Sequence, residues 1–238
     1  MPSNKYGKIS PSSRSTRALL CRTIRLAQID APSFVGRETE LAQLSEWLVP
    51  QLSPPNQNVV ALSGMGGVGK TQLSLAYARQ YQGAYGSVFW LNAKDELSLK
   101  RDFALLSRRL SSGRPSLRQA NISQEEEEEA MHETRSWLSE ETNNRWLLLL
   151  DNYDDPKIPG VKSDTGYDIR RYFPYRVQGS ILITTRSTRL TFARPLKLQK
   201  LEDLKESVKI LSVRSGRDLT NSLFLHSQGY LVLLKAHN

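Results

Sequence analysis

Gly64-Met65-Gly66-Gly67-Val68-Gly69-Lys70-Thr71 is the stretch that decides how the rest of the chain is read. Glycines at its first and sixth positions, followed by Lys and Thr, fill the pattern of a loop that cradles phosphate groups. Upstream, Asn58, Val59, Val60, Ala61, Leu62 and Ser63 make a short apolar, β-branched run bounded by Pro54 and Pro55, the composition of a strand covered on both faces. Downstream, Leu73, Ala76, Tyr77 and Tyr81 recur at helical spacing, so the loop joins a strand to a helix. The residue types suit the chemistry. Gly64, Gly66, Gly67 and Gly69 tolerate positive φ and put no Cβ in the way of a phosphate oxygen. Lys70 brings an ammonium to the β- and γ-phosphates, Thr71 brings a hydroxyl for Mg²⁺, and the helix start offers unpaired N–H groups.

Composition narrows the classes around this loop. At 238 residues and 39% hydrophobic content the chain has ample material for a core, so disorder throughout is excluded. The single cysteine, Cys21, has no partner in the chain for a disulfide, which fits a reducing compartment. No apolar run approaches the length of a membrane span, and the longest clean one, Trp146 to Leu150, is strand-sized. A soluble, cytoplasmic protein is expected. The formal net charge of +9 is concentrated at the N-terminus, where Lys5, Lys8, Arg14, Arg17, Arg22 and Arg25 precede the first acid, Asp30. The body is nearly balanced, so the charge marks a tail rather than a nucleic-acid-binding face, and no nucleic-acid partner is expected. We read residues 1–30 as a basic, disordered leader; a mitochondrial transit peptide is the alternative, suggested by its Ser and Arg content and the weakly amphipathic Leu19, Leu20, Ile24 and Leu26.

Beyond the leader, Phe34-Val35-Gly36-Arg37 precedes Leu41, Leu44, Trp47 and Leu48, which predict a helix ending before Pro50. Ser87 to Leu91 reads as a second buried strand, and Leu99, Phe103, Leu106 and Leu110 as one face of an amphipathic helix whose other face carries Lys100, Arg101, Arg108 and Arg109. Asn92-Ala93-Lys94-Asp95 superficially resembles a guanine-specificity motif, but its lysine comes one position too late, which argues against GTP. Ser123 and Glu126 form a capping box opening a helix that buries Ala130, Trp137 and Leu138 and runs toward Asn143-Asn144. Trp146-Leu147-Leu148-Leu149-Leu150-Asp151 has the Walker B form, a strand buried on both faces and ending in a carboxylate that would face the phosphate loop and hold Mg²⁺. A loop with a helical turn near Asp168 to Tyr172 leads to the strand Ser180 to Thr185, with Arg186 at its end in reach of a γ-phosphate. Leu196 to Leu198 predicts a last strand, and Leu204, Val208 and Leu211 a following helix. His132, His226 and His237 are too scattered to suggest a metal site or a catalytic triad.

Taken in order, these segments resemble the NB-ARC family of signalling NTPases, over about Pro32 to Leu211. The resemblance implies a three-layer α/β fold of the P-loop NTPase type, with a mostly parallel five-stranded sheet and an extra strand between the phosphate-loop strand and the Walker B strand. It implies a nucleotide-binding domain over residues 31–200 and the start of a helical lid over 201–238. Val35 and Arg37 would lie against the adenine of ADP or ATP, and Gly66, Gly67, Val68, Gly69, Lys70, Thr71 and Gln72 would wrap the phosphates. Thr71 and Asp151 would hold Mg²⁺, and Arg186 would be the sensor arginine. It further implies a switch in which exchange of ADP for ATP permits homotypic association with other NB-ARC proteins.

Two departures shape the expectation. Where many members carry a second acid after the Walker B carboxylate this chain has Asn152, whose amide cannot act as a general base, leaving Asp154 or Asp155 as substitutes and hydrolysis slow or absent. Around Gly229, Tyr230, Leu231 and Val232 the family's Gly-Leu-Pro-Leu type segment is blurred and lacks its proline, which implies a form truncated before the winged-helix domain. The competing expectations are an active, motor-like ATPase, and an interaction protein with a degenerate phosphate loop that does not switch.

Overall fold

The computed structural model describes residues 34–50, 57–112, 123–157, 166–201 and 204–216. The expectations for the leader, and for the segment around Gly229, lie outside these residues. Within them the elements run α1 (Glu38–Leu48), β1 (Asn58–Ser63), α2 (Lys70–Gln80), β2 (Ser87–Asn92), α3 (Glu96–Ser112), α4 (Gln124–Ser139), β3 (Trp146–Asp151), β4 (Ser180–Thr185), β5 (Arg194–Lys197) and α5 (Leu204–Ser215).

The five strands form one sheet in the order β2-β3-β4-β1-β5, every pair parallel. β4 therefore lies between β1 and β3, the inserted strand that the resemblance implied. Alternation along the strands sorts side chains to two faces. Leu148, Leu150, Ile181 and Ile183 join Phe89 and Leu91 beneath α3 and α4. Leu147, Leu149 and Leu182 join Val60, Leu62 and Trp90 beneath α1 and α2. With helices on both faces, the run of four leucines in β3 is buried throughout, each contributing about 1.5–3 kcal/mol. Because all strands run the same way, their C-terminal ends share one edge, where Ser63 is paired with Thr185 and Asn92 with Asp151.

The ends of α4 and β5 differ from the sequence expectation, as does the burial of residues in α4 and α5. Helix α4 ends at Ser139, short of Asn143-Asn144, because side chains take its last carbonyls: the Trp146 indole and the Gln178 amide donate to Leu138, and Asn143 donates to Trp137. Within it Leu138 is fully buried, while Ala130 and Trp137 are only partly so. β5 begins and ends earlier than Leu196 to Leu198, spanning Arg194 to Lys197, where Arg194 stacks its guanidinium 3.8 Å from the Trp47 ring centroid. In α5 Val208 is buried as expected, but Leu211 is exposed.

Candidate functional site

β1 hands the chain to the glycine loop at the crowded C-terminal edge of the sheet. Leu198 N–H donates to Ser63 O at 2.7 Å and Gly64 N–H to Thr185 O at 3.3 Å, fixing the start of the loop against two neighbouring strands. Gly67 and Gly69 take φ of +76° and +99°, and a Cβ built on either would enter open space, so the loop is bare on the side a ligand would approach. Gly66 differs from the sequence expectation. Its φ is not positive, and a Cβ there would make ordinary contact with the Arg186 guanidinium at 3.6 Å, so the Arg186 side chain lies directly beside the loop.

Lys70, the first residue of α2, folds back over the loop and donates to Gly64 O at 2.9 Å and Met65 O at 3.0 Å. Burial pulls its ammonium below the usual lysine value; the Asp154 carboxylate opposes this shift and the Arg186 guanidinium reinforces it. Thr71 Oγ1 donates to Asp151 Oδ1 at 3.0 Å, bringing the hydroxyl and the carboxylate together from segments far apart in sequence. Asp151 is oriented from the other side by Thr184, whose hydroxyl donates to the same oxygen at 2.6 Å and accepts the Asn152 N–H at 2.8 Å. The sequence marks Thr184 only as a strand former. Nothing in a β-branched residue at that position distinguishes a hydroxyl that aims a carboxylate from one that merely packs.

After Asp151 the chain turns sharply through Asn152 at φ +67°, whose amide donates to Asp151 Oδ2 at 3.3 Å. Tyr153 drops into the core, its hydroxyl donating to Tyr167 O at 2.6 Å and accepting the Ile169 N–H, and burial pushes that phenol up to about 12. Asp154 is thereby returned to the crevice, where Arg186 N–H donates to its Oδ1 at 2.8 Å and the Arg186 guanidinium pairs with its Oδ2 at 2.9 Å. Asp155 is half-buried beyond it.

On the other side of the loop a cavity of about 180 Å³ is lined by Phe34, Val35, Arg37, Gly69, Gln72, Leu201 and Ile210. Arg37 belongs to its wall, yet its guanidinium is committed elsewhere, donating to Gln199 O at 2.6 Å and Glu40 Oε1 at 2.8 Å. The structure thus brings Val35, Arg37, Gly69 and Gln72 to one cavity and Gly66, Lys70, Thr71, Asp151, Asp154 and Arg186 to the adjoining crevice. Phe34 of the Phe34-Val35-Gly36-Arg37 motif completes the cavity wall together with Leu201 and Ile210, which no sequence pattern marks.

A three-layer parallel sheet of this order, with a glycine loop between β1 and α2 and a carboxylate at the end of β3, is the P-loop NTPase fold. The NB-ARC domain family matches residues 37–213, and the chain belongs to that family. It is 31% identical over 183 residues to a nucleotide-binding leucine-rich repeat (NLR)-like protein of Hyaloscypha variabilis, covering 73% of this chain and 18% of that protein. The chain thus spans less than a fifth of that relative's length. Among solved structures it is similar to Cdc6p from Pyrobaculum aerophilum, at a TM-score of 0.46 and 15% identity over 78% of this chain and 52% of the other. It is also similar to a chain of Drosophila ORC bound to DNA, at 0.49 and 16% over 88% and 55%. Among the described residues no helix is long and apolar enough to cross a membrane.

Proposed function

We propose that this chain is an adenine-nucleotide switch module that binds ADP or ATP with Mg²⁺ at the C-terminal edge of its sheet, hydrolyses ATP slowly or not at all, and associates with other NB-ARC proteins in response to the nucleotide. The observation that carries the proposal is the contact of Thr71 with Asp151 at 3.0 Å beside a bare glycine loop spanned by Lys70. Open space where a Cβ would stand at Gly67 and Gly69 is what a phosphate chain requires, and the loop's amides and Lys70 supply the positive field. Thr71 and Asp151 are the oxygen donors that would hold Mg²⁺, a pair suited to an ion that keeps waters and takes its remaining ligands from phosphates. When bound, the ion would neutralise charge on those phosphates.

The cavity beside Val35 and Arg37 is a fitting seat for the base, since an apolar cavity of about 150 Å³ already admits a benzene ring. Slow hydrolysis is supported by two of the positions that follow the Walker B carboxylate. Asn152 has no basic atom, and both oxygens of Asp154 already accept from Arg186. The Hyaloscypha relative is named as a nucleotide-binding protein, which supports this reading.

Titration calorimetry on the full chain tests it. ADP with Mg²⁺ is expected to bind in the micromolar range, and Lys70→Ala to weaken it by about tenfold or more, as loss of a charge-assisted contact requires. Unchanged affinity in a folded Lys70→Ala variant would sink the proposal.

A further inference from the structure

The Asp154 carboxylate is engaged by Arg186 through both its main chain and its guanidinium. The Arg186 main-chain N–H donates to Oδ1 at 2.8 Å and its Nε donates to Oδ2 at 2.9 Å, so the end of β4 and its side chain are gripped together. The guanidinium is drawn over the phosphate loop, beside Gly66. The Asp154 carboxylate thus holds the guanidinium over the same loop that Lys70 spans. Those are the surroundings a phosphoryl group would seek.

We infer that Asp154 stands in for a terminal phosphate: it holds Arg186 across the phosphate loop and thereby favours a nucleoside diphosphate over a triphosphate at this site. The inference rests on the nucleotide-binding proposal above and adds the residue that sets the preference. A diphosphate leaves the ion pair intact. A triphosphate must either take Arg186 from Asp154 or bring its own charge against the carboxylate, and both lower its affinity selectively. The pair is suited to such an exchange because it is accessible, with side-chain exposures of 67% for Arg186 and 33% for Asp154. Asp154 is therefore a positioning residue acting through Arg186. Its location also depends on Tyr153, whose buried hydroxyl anchors the turn that presents it.

The test measures Kd for ADP and for ATPγS, with Mg²⁺, on the full chain as wild type, Asp154→Asn, Arg186→Ala and the double variant. Asn keeps an oxygen for the Arg186 N–H while removing the charge. Asp154→Asn is expected to leave ADP affinity within about twofold and to tighten ATPγS by about fivefold, the upper end for an exposed ion pair. In the Arg186→Ala background the same substitution should lose most of that gain, which a merely structural role for Asp154 would not produce. ATPγS affinity that is unchanged or weaker in Asp154→Asn, while ADP binds as in wild type, overturns this inference alone. Failure of wild type to bind either nucleotide overturns the nucleotide-binding proposal, and this inference with it. Should Asp154→Asn not fold, Asp154→Ser carries the same expectation and the same overturning result.

Discussion

Gly179 enters β4 at φ +71°, and a Cβ built on it would meet the Trp146 indole at 2.3 Å. Two independent costs coincide there, a left-handed backbone that L side chains avoid and an aromatic ring that fills the space of any side chain. The ring cannot move aside cheaply, because its Nε1 donates to Leu138 O at 3.0 Å and so ties it to the end of α4. Gly179→Ala is expected to cost about 2–4 kcal/mol, read as a lower urea midpoint. An unchanged midpoint would mean that the indole is free to shift. Strain elsewhere is placed differently. Among the described residues the non-glycine residues at positive φ are Arg37 and Asn152, and they flank the cavity and the crevice respectively. Arg37 is held by the carbonyls it binds, and Asn152 by its N–H to Thr184, so the backbone tension is confined to the two segments that border the site.

The elements most legible in the sequence are those whose burial is two-sided. β1, β3 and β4 occupy the residues their apolar runs mark, because a strand covered on both faces needs an unbroken apolar run whose ends are visible. β5 is an edge strand with one buried side chain, Leu196, so its pattern carries little information and it spans Arg194 to Lys197 rather than Leu196 to Leu198. The helix ends show the same division. Ser123 accepts the Glu126 N–H and the Glu126 side chain accepts the Ser123 N–H, the reciprocal pair that the spacing of Ser and Glu announces. The C-terminus of that helix is set by Gln178 and Trp146, which arrive from distant segments and leave no local trace. The site divides likewise: the loop glycines, Lys70, Thr71 and Asp151 stand in contiguous motifs, whereas the pairing of Asp154 with Arg186 and the aim of Thr184 exist only once strands are side by side. Since the cap is local, its energy can be tested locally. Ser123→Ala is expected to cost about 1 kcal/mol, shifting the urea midpoint without changing the slope. A change in slope would instead indicate that α4 no longer docks.

At the scale of the whole molecule, the cavity is built by three segments that have no common element: Phe34, Val35 and Arg37 before α1, Gly69 and Gln72 around the start of α2, and Leu201 with Ile210 at α5. The first two are already joined through the core, where Phe34 and Val68 pack against the cluster that includes Leu73. Among the described side chains of helix α5, Val208 is buried while Leu211 and Val213 face outward, so part of its apolar surface does not dock. A weakly docked helix opens with a low free energy and exchanges its amide hydrogens by that route. A ligand seated between Val35 and Ile210 would bind only the docked arrangement, and so would stabilise it by mass action, by about 2.7 kcal/mol at a hundredfold excess over Kd. ADP is therefore expected to slow hydrogen exchange across residues 204–215 by as much as about a hundredfold, together with slowing at residues 34–41 and 64–72. Protection confined to 64–72 would place the phosphates in the loop and the base outside the cavity, and α5 would then have no part in sensing the nucleotide.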